Sequence, residues 1–505
     1  MFINKDLFSN QQLRELNLVK LMSQKKQAYD YKSICHYLDC SFMTLQTEIA
    51  HLSTFPEIKA FPYIEPHLSL SYKREFGPQK LYQSILLEAP SLRLLEILFF
   101  EDPESLDCLA DQLFISLSTL KRLIKKTNCY LENFFNCHID IKQLGLVGQE
   151  KQIRLFYLKY FSEAYDMHQW PFASMISESV LSDLIDLIVT SLDTPMDRTH
   201  YRHLKVLAAV NLVRYSQGFT LANSDLPSQF LYQQIKDLQP MAQLAQRFLE
   251  SSGLSLDSTA LSELFSAYSR NYLFFNDYNL STAALEPLAI PADAWQAVLE
   301  KLQEQFGLAL QNREELCRIL QEATILGEED RHQNYLVFDH KEPYLNYFRT
   351  QYPELCHVFS QALLLPFLKR GLSCPEKMRG QLLYIVLVYW DNLFLQLSHS
   401  IQKQKLLIIE SGRANLGQFL QAFTGQYFDI TIHDELEIDM ENIRQNYDLV
   451  LTDVALEQTE DLDIYFFSQL VPHIALAQLN DHLRDKIQAH FKAKCQAFEG
   501  QDQAS

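Results

Sequence analysis

The stretch Ser105–Leu131 (SLDCLADQLFISLSTLKRLIKKTNCYL) constrains the fold more than any other part of this 505-residue chain. Leu106, Leu109, Ala110 and Leu113 recur at helical spacing, and so do Leu120, Leu123 and Ile124. Phe114-Ile115-Ser116 leaves room only for a tight turn between them, and Ser116 is a residue type that caps the next helix. Helices meeting at such a turn cross closely, which suits the small Ala110. On a helical wheel Lys121, Arg122, Lys125 and Lys126 lie opposite the apolar positions, with no acidic residue among them. This is the geometry of a helix-turn-helix, one face fixed to the protein and the other laid into a major groove. A solvated basic face on an ordinary surface helix would give the same wheel. What favours the first reading is the alternating HIDIKQLGLV (His138–Val147) that follows. It predicts a hairpin with its turn at Lys142-Gln143, hence a wing whose Lys142 reaches a phosphate.

A weaker version of the unit lies nearer the N-terminus. Phe8–Met22 has a helical period (Leu13, Leu16, Val19), and Asp30–Leu52 reads as a second helical pair. Ile34 and Leu38 line its first helix; Phe42, Leu45, Ile49 and Leu52 line the next, across the turn Asp39-Cys40-Ser41. Phe61–Tyr72 reads as short strands of a wing. The second helix, FMTLQTEIAHL, carries no cation, so Thr44, Gln46 and Thr47 are the candidates for bonds to base edges or phosphates. A purely structural role is the alternative.

From Pro171 to about His399, helix follows helix, and a split near Pro287–Pro291 predicts two all-α domains. After Ser400 the texture changes. Lys405–Glu410, Phe428–His433 and Tyr447–Asp453 read as strands, with a helix through Phe423, which means a small α/β domain. The expected fold class is mainly α and multidomain, with segments 1–75, 76–165, 172–285, 286–398 and 403–505.

The chain has 63 acidic against 44 basic side chains, a formal charge of −19. That excludes a protein that coats nucleic acid indiscriminately. Site-specific DNA binding survives, because counterion release depends on the local surface. Acidic and basic residues roughly balance up to Tyr165, so the excess acid lies beyond it. The nine cysteines form no C-x-x-C pair and no zinc-ligand spacing; Cys35, Cys108, Cys317 and Cys356 sit in helical patterns and read as buried, reduced thiols. No Ser/His/Asp grouping, HExxH or phosphate-cradling glycine loop is present, so neither catalysis nor a metal or other cofactor is expected. The start, MFINKDLFSNQQLREL, lacks a signal-peptide core, and the apolar run Leu382–Trp390 is about half the length that spans a bilayer. The expectation is a cytoplasmic protein without membrane contact. His203, in THYRHLKVLAAVNLVRYSQG, is an isolated histidine, usually a structural one, and Ser411-Gly412 after a strand is a weak anion nest.

At SLSTLKRLIKKTN and QIRLFYLKYFSEAY the sequence resembles the Mga family, stand-alone virulence transcription regulators of Gram-positive cocci related to the anthrax-toxin regulator AtxA. FSNQQLREL is similar to that family's N-terminal motif, and NYDLVLTD to its C-terminal part. The resemblance implies two winged helix-turn-helix domains, two all-α regulatory domains of the phosphotransferase system (PTS) and a C-terminal domain similar to the EIIB component. It implies an activator of virulence and surface-protein genes that binds double-stranded promoter DNA, works with RNA polymerase and forms a homodimer or higher oligomer through its C-terminal domain. The DNA-contacting set would be Ser116, Ser118, Thr119, Lys121, Arg122, Lys125, Lys126 and Lys142, assisted by Thr44, Gln46 and Thr47. His203, in RHLKVL, falls on the family's first phosphorylatable histidine, within reach of the phosphocarrier HPr. Tyr268 and Gln321 occupy the other histidine positions and cannot accept phosphate as histidine does, which leaves His203 alone. Glu410-Ser411-Gly412 stands where EIIB enzymes keep a phospho-cysteine, so that domain reads as an interaction module. Two rivals remain. One is an RNA-binding antiterminator with the same regulatory domains, although those begin with a β-rich domain and this chain begins with helices. The other is a PTS-linked protein adaptor in which the helix pairs are scaffolding.

Overall fold

Ser9 and Gln12 close a reciprocal capping box, the Ser9 amide donating to Gln12 Oε1 at 3.1 Å and the Gln12 amide to Ser9 Oγ at 3.2 Å. This fixes the start of helix α1 (Asn10–Gln24). The computed structural model describes residues 6–24, 29–60, 63–64, 67–166, 168–191, 198–221, 232–233, 235–265, 290–325, 336, 341–399, 402–411, 422, 424–425, 427–433, 437–456, 461–467 and 473–502. The chain divides into two units, Met1–Ala283 with Gly327–Asp339 and Ala284–Leu326 with His340–Ser505.

In the first unit, strand β1 (Tyr29–Asp30) leads into α2 (Tyr31–Leu38) and α3 (Phe42–Leu52). Strand β2 (Ile58–Ala60) pairs antiparallel with β5 (Ser71–Tyr72), while β1 and β3 (Tyr63–Ile64) flank β4 (His67–Leu68). Helices α4 (Pro78–Leu87) and α5 (Pro90–Phe100) both begin on proline, whose fixed φ suits a first helical turn. Then come α6 (Leu106–Gln112), α7 (Leu117–Phe135), the antiparallel hairpin β6 (Cys137–Asp140) and β7 (Gly145–Gly148), and α8 (Glu150–Ala164). At Gly148 φ is +154°, and a Cβ would sit 2.6 Å from the Asn136 carbonyl, so the hairpin can close on α8 only through glycine. An all-α bundle follows: α9 (Glu178–Ser191), α10 (Arg198–Ser216) and helices Gln239–Ser252 and Ser258–Phe265. One hydrophobic core runs through all of this, from Leu7 to Phe265.

That core contains a knot of charge. Arg154 of α8 is fully buried. Its guanidinium donates to Glu150 Oε1 at 2.9 Å and to the Phe219 carbonyl at 2.9 Å, and pairs with Glu263 Oε2 at 3.0 Å. Arg214 of α10 grips both oxygens of Glu150, at 3.0 and 2.7 Å. Buried ions persist only when paired and hydrogen-bonded, and these four side chains satisfy one another across α8, α10 and Ser258–Phe265.

The α3 face differs from the expected one. Leu45 and Leu52 are buried and Ile49 half-buried, but Phe42 is 43% exposed and Glu48 is buried in its place. Phe42 turns its edge to Tyr31, with centroids 5.0 Å apart. Glu48 is tolerated inside because Arg14 Nε of α1 meets its Oε1 at 2.5 Å. Beside it, His51 Nδ1 bonds the buried Glu15 at 2.8 Å.

In the second unit, helices Ala292–Phe306, Arg313–Ile325, Lys341–Gln351, Pro353–Ala362 and Glu376–Tyr389 surround Trp295, Phe359, Leu382 and Val386. The first starts after Pro291; residues 287–289 of the expected split lie outside the described residues. Strands β8 (Gln404–Ile409), β9 (Phe428–Ile432) and β10 (Leu449–Thr452) appear where alternation and apolar runs place them. The helix expected through Phe423 lies outside the described residues. Two further elements occur, β11 (Asp463–Phe466) and the helix His473–Asp502. All four strands are parallel, in the order β9-β8-β10-β11. The last helix serves two cores: Leu476, Leu479 and Leu483 cover the sheet, while Ile487, Phe491 and Cys495 pack among the bundle helices.

All nine cysteines are free thiols. Cys317 and Cys356 are buried as expected, their thiols pushed up to about 11 by burial, whereas Cys35 and Cys108 are half-buried. Among the described residues no group of His, Cys, Asp or Glu could hold a metal ion, and no helix is long and apolar enough to cross a membrane.

Candidate nucleic-acid interface

Two helix pairs in the first unit turn in the same way. After α2, Asp39 takes a left-handed conformation (φ 49°), and the Cys40 amide donates back to the Cys35 carbonyl at 3.1 Å. After α6, Phe114 takes it (φ 54°), and the Ile115 amide donates to the Ala110 carbonyl at 3.0 Å. One residue further on stands a serine cap. Ser41 Oγ accepts from the Thr44 amide at 3.1 Å, and Ser116 Oγ from the Thr119 amide at 3.2 Å. Schellman-type closure followed by a capping serine aims the next helix in one direction in both places. Ala110, 4% exposed, is buried where the turn after α6 closes on it.

The outer face of α7 presents Ser118, Lys121, Arg122 and Lys125, all exposed. The three cations have no intramolecular partner among the described residues. Leu120 and Ile124 are buried behind them and Leu123 is half-buried. Lys126 departs from the expected set. Its ammonium donates to the Phe8 carbonyl at 2.6 Å, so it fastens the N-terminal segment to α7 instead of facing outward. Leu7 and Phe8 are buried there, and Ser91 Oγ donates to the Leu7 carbonyl. The cause is angular: one residue beyond Lys125, Lys126 has rotated to the flank against which Phe8 packs. Ser116 and Thr119 are engaged with each other, their hydroxyls 2.9 Å apart.

Asn128 of α7 hydrogen-bonds the wing, whose Ile139 and Leu146 also pack into the core beside α7. Asn128 Nδ2 donates to the Ile139 carbonyl at 3.1 Å, and the Ile139 amide donates to Asn128 Oδ1 at 2.8 Å. At the wing tip Asp140 Oδ1 accepts from the amides of Gln143, at 2.8 Å, and Lys142, at 2.7 Å, which holds its carboxyl below the usual range. Lys142 is exposed on that turn, on the same module as the α7 cations.

On α3 the outer face is neutral. Gln46 and Thr47 are exposed and Thr44 half-buried, beside Met43, 70% exposed. Thr47 Oγ1 donates to the Met43 carbonyl at 3.0 Å, and Thr44 Oγ1 lies 2.8 Å from Ser41 Oγ. Phe42, expected on the inner stripe, is exposed instead, and the exposed Met43 was not singled out from the sequence. Met43's signal was there, since it lies off the Leu45–Leu52 stripe.

Residues 75–161 match the model of the Mga helix-turn-helix domain. Residues 177–393 match that of the M protein trans-acting positive regulator (MGA) PRD domain. The chain belongs to the Mga family of transcription regulators. It is 21% identical to a Streptococcus pneumoniae serotype 4 protein that goes by the name trans-acting regulator, over 92% of this chain and 96% of that one. It is 24% identical to the Bacillus anthracis capsule synthesis positive regulator AcpB over 43% of this chain and 45% of that one. Its identity to the capsule synthesis positive regulator AcpA of the same organism is 22%, over 42% and 44%. The family is regulatory, not enzymatic.

Within the Mga PRD match, His203 sits half-buried on α10. Tyr268 lies outside the described residues. Gln321 is half-buried on Arg313–Ile325, its carbonyl accepting the Thr324 hydroxyl at 2.8 Å. In the parallel sheet the strand end at Ser411 faces a carboxylate. The Ser411 amide donates to Asp453 Oδ1 at 2.7 Å and its hydroxyl to Asp453 Oδ2 at 2.8 Å. These are the carboxyl ends of β8 and β10, where the chain order reverses and parallel sheets usually take their ligands. A carboxylate placed there opposes an incoming phosphate.

Proposed function

We propose that this Mga-family regulator activates transcription by binding double-stranded DNA upstream of its target promoters, chiefly through the α6–α7 unit and its wing. The observation that supports the reading is the exposed row Lys121, Arg122 and Lys125 on a capped, apolar-backed helix, with Lys142 on the adjoining turn. Ser118 offers a hydroxyl on the same face, and Ser116 and Thr119 set the helix start beside the phosphates. Thr44, Gln46 and Thr47 of α3 form the second, uncharged contact. RNA polymerase is the partner on the promoter, and a protein that reads chromosomal DNA works in the cytoplasm.

The test is anisotropy of labelled upstream duplex with a charge-matched competitor, repeated across salt. The three α7 cations supply a log–log slope of about −2.7, and Lys142 brings it to about −3.6 per subunit. Competition by unrelated duplex as strong as by promoter DNA would leave the adaptor reading in force. Regulation belongs to the same proposal. A phosphate delivered by HPr to His203 would add about two negative charges to α10, the helix that also carries Arg214 of the buried ion knot. The EIIB-like C-terminal domain joins copies of the chain into a homodimer or larger oligomer. If His203→Ala and His203→Asp share one oligomeric state and one level of target expression, His203 is structural.

A further inference from the structure

Away from the helix-turn-helix faces, the first unit encloses a cavity of about 390 Å³ where the end of α8 meets α9 and α10. Phe161, Phe172 and Val206 make its floor, and Trp170 and Tyr201 its walls. The charged rim consists of Asp166, Glu178, Arg198, Arg202 and Lys205. Both carboxylates have partners: Asp166 Oδ2 meets Lys80 Nζ at 2.6 Å, and Glu178 Oε1 meets Lys205 Nζ at 2.5 Å. Lys205 Nζ also lies 5.6 Å from the ring centroids of both Trp170 and Tyr201, which holds the two walls in place.

The arginines are different. Arg202 donates to the Tyr165 carbonyl, a neutral acceptor, and burial pushes its guanidinium down from its usual value. Arg198, one helical turn earlier on the same face of α10, has no partner among the described residues. Two guanidinium groups thus border a part-buried cavity whose carboxylates are already matched. Arg198 is exposed; Arg202 is half-buried, feels the nearby Asp166 and Glu178 carboxylates, and keeps N–H donors to spare for an incoming anion. Guanidinium forks fit phosphate bidentately, and aromatic walls accept a ring face. The volume lies within the range of small-ligand pockets.

We propose that this cavity binds a small phosphorylated ring compound, its phosphate held between Arg198 and Arg202 and its ring against Trp170 and Tyr201. Tyr165 is fixed at both ends, its hydroxyl donating to Glu96 of α5 and its carbonyl accepting from Arg202, so one wall is preset by the winged unit. The other walls belong to the PRD bundle. A bound ligand therefore ties the helix that closes the DNA-binding unit to the helix that carries His203, a residue that does not line the cavity.

The test uses full-length protein and its own fluorescence. Trp295 and Trp390 are 0% and 2% exposed, so quenching from solvent reports Trp170. Phenyl phosphate and glucose 6-phosphate are titrated, with glucose and inorganic phosphate as controls. The expected result is saturable quenching by at least one ester in the submillimolar range, none by glucose, and affinity at least tenfold lower in Arg198→Gln and Arg202→Gln. Arg198→Gln loses no internal contact, so an unchanged melting curve separates lost binding from lost folding. Trp170→Phe should abolish the optical signal while calorimetry still detects the ester. No saturable response to either ester, an equal response to inorganic phosphate, or undiminished affinity in Arg198→Gln overturns the proposal.

Discussion

In α2–α3 the left-handed turn residue is Asp39; in α6–α7 it is Phe114, 87% exposed. Both turns close with the same backward amide bond and the same serine cap, so the geometry does not depend on which side chain occupies the strained position. What the two turns present is different. Helix α7 offers Lys121, Arg122 and Lys125 outward and is backed by apolar side chains. Helix α3 offers Met43, Gln46 and Thr47, and its inner face is held by the Arg14–Glu48 ion pair and by the hydrogen bond between Glu15 and His51. One unit keeps its ions outside, where an anionic polymer can use them. The other keeps them inside, where they fix the helix to α1. The proposed function draws affinity from the second unit, and shape and base contact from the first.

The largest effect should come from breaking the inner pair. Arg14→Ala strands the Glu48 carboxylate, whose Oε2 already lacks a hydrogen-bond partner, and should cost about 2–3 kcal/mol at pH 7. Burial holds the Glu48 carboxyl above its usual value, with Arg14 opposing. A group whose folded value is raised contributes most below its unfolded value and loses that contribution as pH rises through the folded one. The variant's deficit should therefore shrink between pH 7 and pH 5, which urea melts at the two values will check. A deficit that grows on acidification would remove Glu48 from this account.

Next in size is the outer face of α7. Each counterion-release contact is worth about fivefold at 0.15 M salt, so Arg122→Gln with Lys125→Gln should weaken promoter binding roughly thirtyfold and flatten the salt slope by about 1.8. Full promoter binding by that double variant would take the interface away from α7. Smaller again is the strain at Phe114. Phe114→Gly should raise stability by up to about 1 kcal/mol, while Asp39→Gly should change it little, because aspartate tolerates the left-handed region. Equal shifts in calorimetric melts would mean that the two turns are not equivalent. Smallest is Thr44→Ala with Gln46→Ala and Thr47→Ala. About threefold weaker binding with an unchanged slope is expected, since no phosphate charge is involved. A flatter slope there would move phosphate contacts to the first unit.

Both turns, both wings and three of the four parallel strands could be read from spacing, since local periodicity and capping residues decide them. Three features could not. Lys126 was placed outward with its neighbours because a wheel shows angle but not what packs alongside, and Phe8 lies far away in sequence. Glu48 gave no signal of burial, because its partner Arg14 belongs to another helix. The cavity lining likewise comes from three helices, and no spacing rule links Phe161 to Arg198. The last helix is a different case. Leu476, Leu479, Leu483, Ile487 and Phe491 follow a helical stripe that was open to reading. Only its division between two cores needed the structure.

The ion knot of Glu150, Arg154, Arg214 and Glu263 also bears on how such a protein can be taken apart or recombined. The expected segment boundary at Tyr165 invites a cut there. A fragment ending at that residue would keep the Arg154 guanidinium but lose the Phe219 carbonyl and the Glu263 carboxylate that hold it. A chimaera with a foreign bundle would need an arginine and a glutamate delivered to the same two points. The α6–α7 unit with its wing and the bundle beside it are therefore exchanged as a pair or not at all, and the smallest transplantable piece runs to Phe265.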